Sequence, residues 1–467
     1  MLFRVFLRAG KQRDFLGDLQ MVKGEALKRI IFMFAAFGLL LLFSGGTARA
    51  DELSDLKQQM EDMTKTLQQM QERIAQLESR QKLKERSLDE KIEAVSKKTE
   101  EIEKAAPSGL PESLSWIERI KWSGDFRYRH EHIDEETVGS VRWKNGRDRD
   151  RIRARLMLEA IVNNEWGLAF RIASGSADPT STNQTLDNSF SSKDIWLDLA
   201  FFDYHPEKVK GLNVYGGKVK NPFYRVGGNQ LIFDSDLNPE GLAFALERPL
   251  NERDKLRMVG SGFWVDEGPG EETDPALFGA QLMVTHPIGN PDTLIAGVSY
   301  YDFSAIKGYG SLPATWGGAG FLGNSNSNGR YTNDYNVLEV FGEYATKYDG
   351  TPLRLFGNWI RNVNATSHKD TGWLVGTKYN KAIAPGSWEA SYTYRDLEAD
   401  ATVGAFSDSD FIGGGTNGKG SVFGFNYQLF KNVQAALTYF LNEDRANTAG
   451  RSFDYHRLQA DLVLKFK

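Results

Sequence analysis

From residue 119 onward, apolar and polar side chains alternate with a period of two in segment after segment. The stretch from Arg147 to Gly175 shows the pattern most clearly: Ile152, Ala154, Leu156, Leu158 and Ala160 fall on one face, and Arg149, Arg151, Arg153 and Arg155 on the other. A half-buried soluble sheet gives no reason for such an arginine face. A wall between lipid and a water-filled lumen explains both faces at once, because the apolar side meets hydrocarbon and the arginines stay hydrated inside. After Asn163-Asn164 the alternation resumes, with Trp166, Leu168, Phe170 and Ile172 opposing Gly167, Ala169 and Arg171, which predicts a hairpin.

The same texture opens with Trp122, Gly124, Phe126 and Tyr128 against Ser123, Asp125, Arg127 and Arg129. It closes with Leu458, Ala460, Leu462, Leu464 and Phe466 against Arg457, Gln459 and Asp461. About sixteen segments of membrane-crossing strand length are expected between these ends. Clear cases are Asp194 to Tyr204, Tyr335 to Lys347, Ser387 to Arg395, Ser421 to Leu429 and Val433 to Asn442. Short connections such as Asn163-Asn164, Gly289 to Asp292 and Lys431-Asn432 alternate with long ones such as Ser174 to Ser191, Asn221 to Pro239, Ala305 to Asn333 and Glu398 to Gly418. One rim of short turns and one of long loops is what an up-and-down membrane barrel requires. The predicted fold is therefore an all-β transmembrane barrel of antiparallel strands over 119–467.

The N-terminal part has a different period. From Leu53 the apolar positions run Leu56, Met60, Met63, Leu67, Met70, Ile74 and Leu77, a heptad seam that predicts an α-helical coiled coil over 51–104. Past Leu77, residues Leu88, Ile92, Val95 and Ile102 fit a register displaced by four, which places a stutter near Gln81. At helical rise such a segment would be about 80 Å long. Pro107, Gly109 and Pro111 mark 105–118 as a linker. Ahead of the seam, Ile30 to Phe43 is apolar, follows Lys23, Lys28 and Arg29, and precedes Ala48-Arg49-Ala50. This pattern is that of a secretory signal peptide over 1–50, cleaved after Ala50, with Met21 as the expected translation start.

Composition narrows the classes further. A mean hydropathy of -0.45 without repeated long apolar runs excludes a helical membrane protein. The net charge of -5 gives no global pull toward nucleic acid, so electrostatic function must come from local patches. Cysteine is absent, which excludes disulfides and thiolate metal sites. Gly413 to Gly420 approaches a phosphate-binding loop, but Gly420 stands where Ser or Thr must hold magnesium; the run is expected to be a flexible loop. His130 and His132 share a strand face without further ligands in sequence, so no metal is expected. No nucleophile–base motif is present; neither enzymatic activity nor a cofactor is expected.

The runs IKWSGDFRYRHE from Ile120, RIRARLMLEA from Arg151, ASGSADPTSTNQTL from Ala173, DIWLDLAFFDYHP from Asp194 and YGGKVKNPFYRVGGNQLIFDSDLNPEG from Tyr215 resemble the Putative porin family of bacterial outer membranes. That resemblance implies an outer-membrane barrel preceded by a periplasmic coiled coil, surrounded by outer-membrane lipid. It also implies passive diffusion of small hydrophilic solutes and a homotrimer. The alternative is an envelope tether, in which the coiled coil links the outer membrane to the cell wall.

If the last strand closes on the first, Arg127, Arg129, Arg149, Arg151, Arg153, Arg155 and Arg457 share one stretch of lumen wall. Two readings of this ladder remain open. The arginines stiffen the wall by pairing with Asp125, Glu131, Glu159 and Asp461, or they face the solute and draw anions; their excess over the nearby acids favours the second. By the resemblance, Asn221 to Pro239 occupies the position of a loop folded into the lumen, with Arg225, Asp234, Asp236 and Glu240 as its charges. An acidic loop opposite a basic wall would set a transverse field at a constriction. Asp234, Asp236 and Asn238 also imitate a calcium loop, but Pro239 replaces the required glycine and Ala245 the bidentate glutamate.

Overall fold

The computed structural model describes residues 112–136, 146–267, 274–312, 320–445 and 452–467, with scattered positions between 65 and 80. The chain divides into two compact units, Met1–Gly109 and Leu110–Lys467. In the first, Glu72, Arg73, Ala75 and Gln76 are helical and exposed. The expected signal peptide and every apolar position of the heptad seam lie outside the described residues.

In the second unit a turn of 3-10 helix, Glu112–Arg119, leads into sixteen long strands among the described residues. They are β1 Ile120–Glu135, β2 Arg147–Ile161, β3 Trp166–Ser174, β4 Ile195–Tyr204, β5 Leu212–Lys218, β6 Glu240–Pro249, β7 Lys255–Trp264 and β8 Ala276–Pro287. There follow β9 Thr293–Ser304, β10 Tyr335–Tyr348, β11 Thr351–Asn362, β12 Thr371–Asn380, β13 Trp388–Leu397, β14 Gly418–Phe430, β15 Val433–Asp444 and β16 Phe453–Phe466. Each pairs antiparallel with its neighbours in sequence, and β16 returns to β1 in a register running from Gly124 opposite Phe466 to Glu135 opposite Tyr455. Closure leaves no sheet edge to expose unpaired backbone in lipid. Short and long connections alternate around the barrel, as the sequence pattern predicts.

Alternation fixes what each side chain meets. Phe126 and Tyr128 on β1, Phe423, Phe425 and Tyr427 on β14, and Leu458, Leu462 and Leu464 on β16 all point outward and are exposed. Such rows continue around the wall. No water-soluble surface carries an apolar band of that extent, and hydrocarbon is the solvent that suits it.

The lumen is partly filled. Phe223, Val226, Leu231, Ile232 and Phe233 from 219–239, Ile306, Leu312 and Tyr331 from 305–334, and Ala401, Val403 and Ala405 from 398–417 form one buried cluster. They pack on inward side chains of β7 to β13, including Phe263, Tyr301, Phe303, Phe341, Phe356 and Ile360. Phe223 and Phe233 both meet the Tyr301 ring edge-on, with centroids 4.9 and 5.1 Å away. Gly227 brings the loop close against the wall. Its φ is 59°, and a Cβ there would lie 2.5 Å from the Phe356 ring, so only glycine fits. The Gly227 amide donates to Glu343 Oε2 at 2.8 Å, while Gln281 takes the Tyr224 amide at 2.8 Å and returns its own amide to the Tyr224 carbonyl at 3.0 Å. The loop is thereby fastened to β8 and β10.

The glycine run Gly413 to Gly420 belongs to this packing and is not a free loop. Thr416 and Asn417 are buried, the Thr416 hydroxyl donates to the Ala399 carbonyl at 2.7 Å, and its amide donates to the Leu322 carbonyl at 2.9 Å. Left-handed backbone at Gly413, Gly414 and Gly415 lets the chain make that turn against its neighbours.

Candidate functional site

The register of β16, β1 and β2 brings all seven ladder arginines to one inner surface. Arg127 lies opposite Arg153, Arg129 opposite Arg151, Glu131 opposite Arg149 and Asp125 opposite Arg155. On the other side Arg129 faces Asp461, and Arg457 sits at the level of Ile133. Like charges directly across a strand pair repel, so the arrangement needs interleaved acids.

Those acids are present. Asp125 receives Arg153 Nη2 and Arg155 Nε, each at 2.8 Å. Buried Glu131 receives Arg149 Nε, and Arg457 Nη2 at 2.5 Å. Asp461 takes Arg129 Nε at 2.6 Å. Glu159 makes no ion pair among the described residues. Two further carboxylates come from infolded loops: Asp236 reaches Arg155 Nη1 at 3.3 Å, and Asp410 meets Arg129 Nη1 at 3.2 Å and Arg457 Nη2 at 2.8 Å. Most of the arginines are paired, yet seven stand against five carboxylates, Asp125, Glu131, Asp236, Asp410 and Asp461.

Of the four charges expected on the loop 219–239 and its far end, one reaches the wall. Asp236 faces Arg155 and also accepts from the Thr182 hydroxyl at 3.0 Å. Burial works upward on its carboxyl, but the Arg153 and Arg155 guanidiniums outweigh it and hold Asp236 below the usual carboxylate range. Arg225 turns back on its own loop, donating to the Phe233 carbonyl at 2.8 Å. Asp234 accepts the Asp236 amide at 2.8 Å and the Ser409 amide at 2.9 Å. Burial and neighbouring Asp408 push its carboxyl well above the usual range. Glu240 opens β6 in the same outward row as Leu242 and Phe244, is exposed, and pairs with Lys218 at 2.7 Å on the outer surface.

Two contributors carry no signal in the alternation of strands. One is the Asp408–Asp410 segment of 398–417. Asp408 meets buried Arg395 of β13 at 3.2 Å, and Arg395 stacks 3.4 Å over the Phe411 ring. The other is Thr180 to Asn183 of 175–194, where Asn183 and Ser181 accept from Arg127 and Arg151 of the wall and Thr182 donates to Asp236. Three loops interlock here: the Asp234 amide donates to the Phe406 carbonyl at 2.7 Å, and the Ser409 hydroxyl to the Thr180 carbonyl at 3.0 Å. A dense run of Asp, Ser, Thr and Gly in each loop is the only sequence trace of this network.

Cavities flank the ladder on both sides. Toward the long-loop rim a vestibule of about 600 Å³ is lined by Arg147, Arg149, Tyr455, Arg457 and Ser409. Toward the short-turn rim a second, of about 450 Å³, is lined by Lys121, Glu159, His205, Asn221 and Arg257. His130 and His132 lie on the outward face, with His132 Nδ1 2.7 Å from Asp148, and take no part in the lumen. Among the described residues no group of three or more His, Asp or Glu is placed to hold a metal ion.

Comparison with family models gives a match to the family described as Putative porin over residues 136–336 and 323–466. Among solved structures, Pseudomonas putida OprB at high pH is 12% identical, covering 76% of this chain and 96% of that one, with a TM-score of 0.48. A mutant of the Rh. blastica porin is 12% identical, covering 74% of this chain and 100% of that one, with a TM-score of 0.42. No curated protein sequence matches.

Proposed function

The chain belongs to the Putative porin family, and on that basis we propose that it is a passive diffusion channel of the outer membrane for small hydrophilic solutes, with a preference for anions. The observation that carries this reading is the barrel wall itself, closed, apolar outside, and lined inside by seven arginines against five carboxylates. In a lumen with low-dielectric walls the residual positive charge is weakly screened and draws anions in. Asp236 opposite Arg155 supplies the negative side of a local transverse field, through which a dipolar solute must orient.

The wider assembly is part of the same proposal: long loops outward, the heptad segment 51–104 in the periplasm as a coiled coil, and three copies of the barrel side by side. The heptads also support a separate tethering role. Planar-bilayer recording of the purified full chain tests the pore. Discrete conductance steps are expected, and a barrel that folds but passes no ions would contradict the reading and favour the tether.

A further inference from the structure

Five of the seven ladder arginines donate a hydrogen bond to a carboxylate: Arg129 to Asp461, Arg149 to Glu131, Arg153 and Arg155 to Asp125, and Arg457 to Glu131. Arg127 and Arg151 do not. Their nearest acids stand off at 3.8 Å, Asp461 from Arg127, and 3.9 Å, Glu131 from Arg151. The Nε of each is buried without any hydrogen-bond partner.

Both guanidiniums instead converge on one short piece of the loop 175–194. Arg127 Nη2 donates to Asn183 Oδ1 at 2.5 Å, and Arg151 Nη2 reaches the Asn183 carbonyl and Ser181 Oγ, each at 3.4 Å. Ser181 Oγ also accepts from the Asn183 amide at 3.4 Å and from Asn183 Nδ2 at 3.2 Å. The hydroxyl therefore receives three donors and gives its own proton to no acceptor among the described residues. The nearest acid on that loop, Asp178, binds the Thr180 amide and hydroxyl at 2.8 Å. Burial pushes its carboxyl up, toward the neutral form.

We infer that Arg127, Arg151 and Ser181 form a binding site for a small divalent oxyanion along the lumen wall. Two guanidiniums whose carboxylates stand off at 3.8 and 3.9 Å, each with an unpartnered Nε, keep donors and positive charge for a divalent anion, and their planar forks favour an anion with several oxygens over chloride. The spare Ser181 proton supplies a third donor. This goes further than a general anion preference and rests on the pore reading only for the solute's route to the site.

The test uses inorganic phosphate at a pH where it is mainly divalent, on the full chain. In bilayers, phosphate should reduce the chloride current saturably, and titration calorimetry on the detergent-solubilised barrel should give one site. The paired change Arg127→Gln with Arg151→Gln should weaken both by about tenfold or more, the scale of losing charged hydrogen bonds. Ser181→Ala, a milder change that keeps the charges, should weaken binding severalfold. Lys193→Gln, which removes an ion pair with Asp187 on the same loop, should leave binding unchanged. Phosphate binding without ion conductance would keep the site and remove the pore. Anion-preferring conductance with no phosphate binding, or phosphate displaced equally well by chloride, would overturn the site and leave the pore.

Discussion

Around β16, β1 and β2 the inner positions of the barrel hold Arg129, Glu131, Arg151 and Arg457 in ion pairs, whereas from β7 to β11 the equivalent inner rows include Phe263, Tyr301, Phe303, Phe341 and Phe356. The strands on both sides obey the same alternation and present the same lipid face. Their inner rows differ because the loops they face differ. Apolar residues of 219–239 and 305–334 cover the aromatic half and dry it, while the loops that approach the arginine half do so with Asp236, Asp410, Ser181 and Asn183. The aromatic half is filled by apolar packing, and the charged half is filled by ion pairs and hydrogen bonds. In the proposed channel, size selection and charge selection would fall to opposite walls.

The strongest way to break the charged half is to remove its buried acid. Glu131→Gln strips Arg149 of its carboxylate and leaves Arg457 with Asp410 alone, and the loss from a buried pair of this kind is about 3–5 kcal/mol. A clear drop in the unfolding midpoint of the detergent-solubilised barrel is expected. For the dry half the corresponding change is Gly227→Ala. Its Cβ would meet the Phe356 ring from a left-handed backbone, costing about 1–3 kcal/mol. Conductance should rise as the loop lifts, without a change in ion preference; a selectivity change instead would mean that the halves are not separable.

A smaller effect is expected where the two halves meet. The Asp234 carboxyl, raised by burial and by Asp408, binds its proton more tightly with the loops interlocked than with them released. Its stabilising contribution is full below the ordinary carboxylate value and is lost as pH rises through the raised one. Acidification should therefore quiet the open-channel noise, and Asp234→Asn should flatten that dependence. Smallest of all, deleting 51–104 should leave conductance unaltered while weakening attachment of the barrel to the rest of the envelope, if the tethering role holds.

Much of the barrel was legible because alternation is a strict consequence of a wall with lipid on one side. The expected strand Tyr335 to Lys347 is observed as Tyr335–Tyr348, and Ser421 to Leu429 as Gly418–Phe430. Closure of the last strand on the first follows from the barrel itself, since an open edge could not lie in lipid. The lumen was less legible. Infolding of Asn221 to Pro239 was expected, but which of its charges meets the wall depends on loop packing. Asp234 and Asp236 differ by two residues, yet one faces Ser409 and the other Arg155. Glu240 falls outside for a simpler reason: strand pairing has begun by that residue, and alternation turns it outward. Asp410 meets Arg129, 281 residues away along the chain, and no period records such a pairing.

The most direct test of the account is the zero-current potential of single channels in a salt gradient, compared between the native chain and a variant carrying Arg151→Gln, Arg153→Gln and Arg155→Gln. The charged wall predicts a native potential displaced toward the chloride equilibrium value and a shift toward the cation value in the variant. An identical potential in both would contradict it, leaving these arginines to stiffen the wall and nothing more.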